Sequence, residues 1–303
     1  MFRRTILPLI AATLFSGLAI AAEEPAPGPP RVLLVAREEI KPGSMGSHEK
    51  IAAEFVAAMS KTKLENYRLG LTPVSGDDNQ VLYLEGYDSF AALEAARSAM
   101  DKEVANNAAF KASLDQVEVR GGPMHASQKT AIAVYREDLS YRPLKMNDVA
   151  KARYFNVMTV RVKQGQGPDY VEYSRQFNAA RAKANLDEHT AAYQIVTGAS
   201  AGTFLFFSTS RSLTEWDEYG NNLDARTKAI DEALGGESVV KQRRQLAGEI
   251  VTDSASSLYA LSPAISRPAP QFAAYDPDFW SPKPKAPAKA LAVKKEAAKG
   301  IKP

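Results

Sequence analysis

Val32-Leu33-Leu34-Val35-Ala36 is a short unbroken apolar run, which predicts a buried strand. Between Tyr154 and Val162, Phe155, Val157, Thr159 and Arg161 alternate with Asn156, Met158, Val160 and Val162, and a second strand is predicted there. A glycine-bearing turn follows each run, at Lys41-Pro42-Gly43-Ser44 and at Lys163 to Pro168. Helical spacing comes next. Ile51, Phe55 and Met59 recur every four residues, and Tyr170, Tyr173 and Phe177 recur at three and four. Pro168 falls where a first helical turn tolerates proline. Two hairpins are then predicted: Tyr67 to Val74 with Gln80 to Tyr87, and Ala192 to Thr197 with Thr203 to Ser208. Turn formers separate the strands of each. Helical segments at 89–100 and 104–114, and at 213–219, 225–234 and 238–250, precede closing strands at Thr130 to Tyr135 and Ser257 to Leu261.

The same order thus occurs twice, and residues match along it. Phe55-Val56-Ala57-Ala58-Met59-Ser60-Lys61 returns as Phe177-Asn178-Ala179-Ala180-Arg181-Ala182-Lys183, 122 positions on, with four of seven pairs identical. Ser140 to Pro143 matches Ile265 to Pro268 at an offset of 125. A slowly growing offset is the mark of two diverged copies with small loop insertions.

β-α-β-β-α-β is the split βαβ, ferredoxin-like unit. Its antiparallel sheet carries helices on one face, so the other face needs a partner. The fold class expected is α+β: two tandem ferredoxin-like units packed sheet to sheet as one pseudo-dimeric barrel. The boundaries expected are a signal peptide at 1–22, a Pro-rich linker at 23–30, repeat 1 at 31–143, a linker at 144–151, repeat 2 at 152–268, an aromatic strap at 269–281 and a Lys/Ala/Pro tail at 282–303.

With this element order, the duplication, and the strand–Tyr87-Asp88-Ser89-Phe90–helix junction, the chain resembles the dimeric α+β barrel superfamily. Its members include antibiotic-biosynthesis monooxygenase-like, EthD-like and NIPSNAP-like domains. The resemblance implies two paired units sharing one barrel. It also implies two chemistries to weigh. Haem-binding members use a histidine on the later helix, and here 89–100 and 213–219 contain none. Cofactor-free oxygenases of the superfamily use a pocket with a Tyr, Asn or Trp beside the substrate.

The ends change the picture of where the chain works. Arg3-Arg4, the mostly apolar stretch Ile6 to Ile20 and Ala19-Ile20-Ala21 fit an export signal cleaved near Ala21 or Ala22, so a periplasmic location is expected. Cysteine is absent, which excludes disulfides, thiolate catalysis and Cys-ligated metal. The formal net charge of +3 becomes −5 once the two leader arginines and the tail's seven lysines and one glutamate are set aside. A mildly acidic body is not a nucleic-acid surface. The tail is expected to be disordered, a solubilising extension or a weak contact to anionic envelope surfaces.

Candidate chemistry is sparse. Of the histidines His48, His125 and His189, His48 opens the first helix, His125 is expected in a loop and His189 in a turn. No His-x-His or His-Glu-x-x-His spacing occurs, so neither a metal site nor another cofactor is expected. Glu38 and Glu39 are adjacent and point to opposite faces of a strand. His48 is the one catalytic candidate. Tyr67, Tyr83, Tyr154, Tyr193 and Trp216 are the candidate ligand-binding residues, each with core packing as the plain alternative. The function expected is binding of a small apolar or aromatic molecule within the barrel, without catalysis. The alternatives are a cofactor-independent monooxygenase-like enzyme and an envelope interaction module. Whether the chain is an enzyme, and whether the pseudo-dimer pairs again, stays open.

Overall fold

A computed structural model describes residues 26–281. The leader expected at 1–22 and the tail expected at 282–303 lie outside the described residues. The first unit comprises β1 Val32–Ile40, α1 Met45–Met59, β2 Leu69–Ser75, β3 Gln80–Tyr87, α2 Phe90–Asn106, α3 Ala108–Gly121 and β4 His125–Tyr135. A one-turn helix, α4 Met146–Val149, lies in the connection. The second comprises β5 Tyr154–Val162, α5 Gly167–Lys183, β6 Ala191–Thr197, β7 Thr203–Ser210, α6 Thr214–Asn221, α7 Leu223–Leu234, α8 Glu237–Ile250 and β8 Val251–Leu261. Two further one-turn helices follow, α9 Pro270–Ala273 and α10 Pro277–Trp280. Ser89 starts α2 where its hydroxyl accepts the Ala92 N–H at 3.1 Å, and Asn107 starts α3 through the Phe110 N–H at 3.0 Å.

The eight strands close into one antiparallel barrel in the order β1-β3-β2-β8-β5-β7-β6-β4. Each unit supplies a four-stranded sheet with its leading strand inside, and the β2–β8 and β4–β6 pairs weld the two edges. Closure removes every unpaired edge, which an open sheet would have to protect. The α+β barrel expected from the sequence is the fold observed.

The two units agree strand by strand. Corresponding strands contain 9, 7, 8 and 11 residues in both. Their starts are offset by 122, 122, 123 and 126. A reciprocal clasp follows each last strand. Ser140 accepts the N–H of Ala192 at 2.9 Å and donates to Arg136 O, while Ser266 accepts the N–H of Gly70 at 2.8 Å and donates to Ser262 O. Beside them, the isolated bridges Tyr141–Thr190 and Arg68–Arg267 repeat the same pairing. These contacts put Ser140 opposite Ser266, an offset of 126. The offset of 125 expected there is therefore one residue short, because the identities of Arg142 with Arg267 and Pro143 with Pro268 do not follow the hydrogen-bond register.

The closing strands also begin earlier than expected, at His125 and Val251. Their openings, His-Ala-Ser-Gln-Lys and Val-Thr-Asp-Ser-Ala-Ser, are too polar to announce a strand, yet they pair with β1 and β5 along their full lengths.

Alternation along the strands sorts two cores. Leu33, Val35, Leu82, Leu84, Phe155, Val157, Tyr193, Leu205, Phe207 and Tyr259 point into the barrel and fill it. Fully burying one such side chain contributes about 1.5–3 kcal/mol. The opposite faces meet the helices: Ile40, Val81 and Tyr83 lie under α1, and Val160, Phe204 and Phe206 lie under α5. The expected pocket inside the barrel is corrected by this packing, since the lumen is occupied by side chains.

Candidate functional site

The helix-covered face of the first unit carries a polar cluster. Glu38 projects from β1 on the side opposite Val35 and Arg37, towards the first turns of α1. Its Oε2 lies 2.8 Å from His48 Nε2 and 3.3 Å from His125 Nε2. Gln128 Nε2 donates to the other oxygen at 3.3 Å. The two imidazoles meet edge to face, with centroids 5.2 Å apart at 84°. His48 is 3% exposed, and its Nδ1 is buried without a partner. Burial pushes the Glu38 carboxyl up, but the His48 hydrogen bond and the electrostatic pull of His48, His125 and Arg68 outweigh it, and the pKa falls below the ordinary value.

His48 was legible as a candidate; its partners were not. His125 opens β4 instead of sitting in a loop, and the β1–β4 ladder brings it opposite Ile40. The expectation that no metal-ligating set exists is corrected by the same geometry. One donor atom each from Glu38, His48 and His125 lie within 4.8 Å of one another. No short motif could have shown it, because the three residues come from three elements.

Further along the same face, a cavity of about 200 Å³ opens between the sheet, the end of α1 and α2. Its apolar walls include Leu34, Phe55, Met59 and Leu93, and its polar ones Asn66, Arg68, Glu85, Arg97 and Asp101. The Arg68 guanidinium is sandwiched 4.3 Å from both the Phe55 and Tyr83 ring centroids. Arg68 Nε and Asn66 Oδ1 are buried with no hydrogen-bond partner. Glu85 is engaged, accepting the Tyr87 hydroxyl at 2.7 Å. Burial, reinforced by Glu85, raises the Tyr87 pKa and keeps the phenol neutral. Among the described residues, neither Arg68 nor Arg97 has a carboxylate within 4 Å.

The second unit is an internal control. The offsets place Val160, Tyr170 and Val251 where the first unit has Glu38, His48 and His125, and these three pack into an apolar cluster with Phe204 and Phe206. Burial there raises the Tyr170 pKa to about 12. Two of the cavity's lining positions carry an ion pair in the second unit. Arg181 stands for Met59 and Glu188 for Asn66; they pair at 2.7 Å, and Arg226 also binds Glu188. Arg181 even covers Phe177, the counterpart of Phe55, so one aromatic receives a guanidinium from the helix in one unit and from the residue just before β2 in the other. Burial pulls the Arg181 pKa down.

The remaining candidates are scattered. Tyr83 lies under α1, stacked on Arg68 at the cavity wall. Tyr193 is in the barrel core, its hydroxyl donating to Pro30 O at 3.0 Å. Tyr67 lies just before β2 beneath the Arg267 guanidinium. Tyr154 opens β5 in the second unit, and Trp216 lies on α6, 37% exposed, donating to Ser210 Oγ. His189 binds Arg142 O at 2.7 Å, away from the cluster. Sequence reasoning missed Glu38, His125, Asn66 and Arg68; comparing the two units position by position would have flagged Glu38 and His125 as polar residues at apolar counterparts.

No family model and no curated protein matches the chain. Solved structures do. An anthrone oxidase-like protein aligns at 11% identity over 77% of this chain and 91% of its own, with a TM-score of 0.48. A protein described provisionally as a monooxygenase, from Lactobacillus acidophilus NCFM, aligns at 9% identity over 77% and 94%, with a TM-score of 0.43. A chlorite dismutase from Candidatus Nitrospira defluvii, in complex with imidazole, aligns at 8% over 77% and 91%, with a TM-score of 0.42. Site roles are therefore assigned from this chain's own geometry.

Proposed function

We propose that this chain is an exported binding protein, produced by tandem duplication, whose first unit holds a small amphipathic anion between sheet and helices. The reading rests on the asymmetry of the two units. At the cavity-lining positions Met59 and Asn66, unit two has the paired Arg181 and Glu188, the latter also bound by Arg226. A buried polar group without a partner costs free energy, so Arg68 Nε is suited to donate to a ligand's anionic oxygen and Asn66 Oδ1 to accept from a ligand hydroxyl or N–H. Leu34, Phe55, Met59 and Leu93 suit an apolar body, and Arg68 and Arg97 a carboxylate. The volume limits the guest to a small molecule, of the order of a substituted benzoate.

Native mass spectrometry of protein purified from its own host tests for a retained guest, and calorimetry with benzoate and salicylate tests the class. Met59→Arg combined with Asn66→Glu transplants the second unit's plug and should abolish binding while the protein stays folded. Absence of any guest, with no carboxylate binding at millimolar concentration, overturns the reading. The monooxygenase-like alternative is favoured by one observation, the 2.8 Å Glu38–His48 pair, which could take a proton from a substrate. Oxygen consumption with the same aromatic panel, lost in His48→Gln, would establish it.

A further inference from the structure

We propose that Glu38, His48 and His125 bind one divalent transition-metal ion. The proposal is independent of what occupies the neighbouring cavity. Bonds of about 2.0–2.2 Å from a metal to imidazole nitrogen and carboxylate oxygen place adjacent ligand atoms roughly 3–3.5 Å apart. The separations here are 2.8 Å from Glu38 Oε2 to His48 Nε2 and 3.3 Å to His125 Nε2, with all three donors within 4.8 Å. Two imidazoles and one carboxylate suit zinc, iron, nickel or copper, whereas calcium and magnesium prefer oxygen ligands. Three protein ligands leave coordination positions open.

The surroundings support an ion. The ligands stand on a central strand, a helix and the start of a second strand, so backbone hydrogen bonds hold all three in place. Gln128, bonded to the second oxygen of Glu38, orients the carboxylate from outside the ligand set. The Glu38 and His125 side chains are 19% and 15% exposed, which leaves a path from solvent. The fold itself does not need the polar set, because Val160, Tyr170 and Val251 fill the same positions in the second unit. Arg68, near enough to act on Glu38, opposes a cation and weakens its affinity without removing a ligand.

The test uses the full chain without a polyhistidine tag, stripped with a chelator and titrated with Zn²⁺ by calorimetry and with Co²⁺ by visible absorption. One equivalent should bind. His125→Ala and Glu38→Gln should weaken binding by roughly 100-fold or more, and Gln128→Ala by about 10-fold. The triple variant Glu38→Val, His48→Tyr, His125→Val copies the second unit and should fold, by circular dichroism, without binding. No binding by folded wild type overturns the proposal, as does binding that persists in His125→Ala or in the triple variant. His125 lies at the rim, so its variant keeps the test decisive if changes at buried His48 prevent folding.

Discussion

Glu38 and Val160 stand at one register of the two leading strands. Glu38 faces Val81 and Gln128 across its ladders, and Val160 faces Phe204 and Ser254. The backbone is the same, and one position ends in a carboxylate held by two imidazoles while the other ends in two methyl groups against a phenylalanine. A position that the scaffold can fill with valine has been given a charged residue in one half only.

Removing the carboxylate alone should therefore hurt more than replacing the cluster. Glu38→Gln replaces the charged acceptor beside buried His48 with a neutral amide oxygen and should cost about 1–3 kcal/mol, since hydrogen bonds to charged groups contribute more than neutral ones. The triple variant that copies the second unit removes all three partners together and should cost less, because an apolar replacement of a buried ionic set is often neutral. Urea denaturation of the metal-free proteins compares them. A triple variant much less stable than Glu38→Gln would show that the polar set is structural.

Ser140 and Ser266 should be interchangeable in kind and unequal in size. Ser266→Ala leaves the buried Gly70 N–H without its acceptor and should cost roughly 1–3 kcal/mol. Ser140 is less buried, so Ser140→Ala should cost less. The clasps lie at opposite welds of the barrel and share no partner, so the double variant should be additive within about 0.5 kcal/mol. Coupling well beyond that would mean the two welds open together.

Asp138 ties the end of the first unit to α5 of the second. Arg136 grips both its oxygens at 2.8 Å, and Arg175 donates at 2.6 Å. Those arginine contacts hold its pKa near 2, against an ordinary value of 3.8. A depressed folded-state pKa contributes stability that is complete above the ordinary value and lost as pH falls through the folded one. Stability should thus decline between pH 3.8 and about 2, and the decline should be shallower in Asp138→Asn. Parallel acid titrations of both proteins, followed by circular dichroism, check this; identical slopes would remove Asp138 from the acid response.

The sequence made the barrel readable because its apolar stripes, turns and matched residues all repeat, and a ferredoxin-like sheet without a second sheet would leave one face wet. It misplaced the closing strands because Ser127 to Lys129 and Asp253 to Ser256 satisfy a ladder with their backbones while their side chains stay polar. The candidate site was readable only at His48. Glu38 lies ten residues before it on another element and His125 lies 77 residues after it, and nothing in local spacing brings a strand start over a helix start. Aromatic residue type predicts pocket formers, yet of the five candidates Tyr193 fills the barrel core, Tyr83 packs under α1 and Trp216 is exposed on α6. Tyr193 shows why: its ring packs against Phe207 and Tyr135, while its hydroxyl is satisfied by Pro30 O.

Trp280 is part of the barrel core although it lies 19 residues beyond the last strand. It is 7% exposed, packs edge-on to Phe272 at 5.4 Å and Phe279 at 5.0 Å, and joins the cluster that contains Phe155 and Tyr259. Its Nε1 donates to Ala150 O at 3.0 Å, so the strap is tied to the connection between the units. Arg153 locks the strap from outside, stacked 3.9 Å over Phe279 and paired with Asp276 at 2.6 Å. Trp280→Ala should cost about 3–5 kcal/mol through the cavity it leaves. Trp280→Phe keeps most of the packing and should lose mainly the hydrogen bond, about 1 kcal/mol. Chemical denaturation of the three proteins separates the two contributions. Near-equal stabilities would mean that the strap rests on the barrel without plugging it. A loss in Trp280→Phe as large as in Trp280→Ala would shift the weight from packing to the Ala150 hydrogen bond.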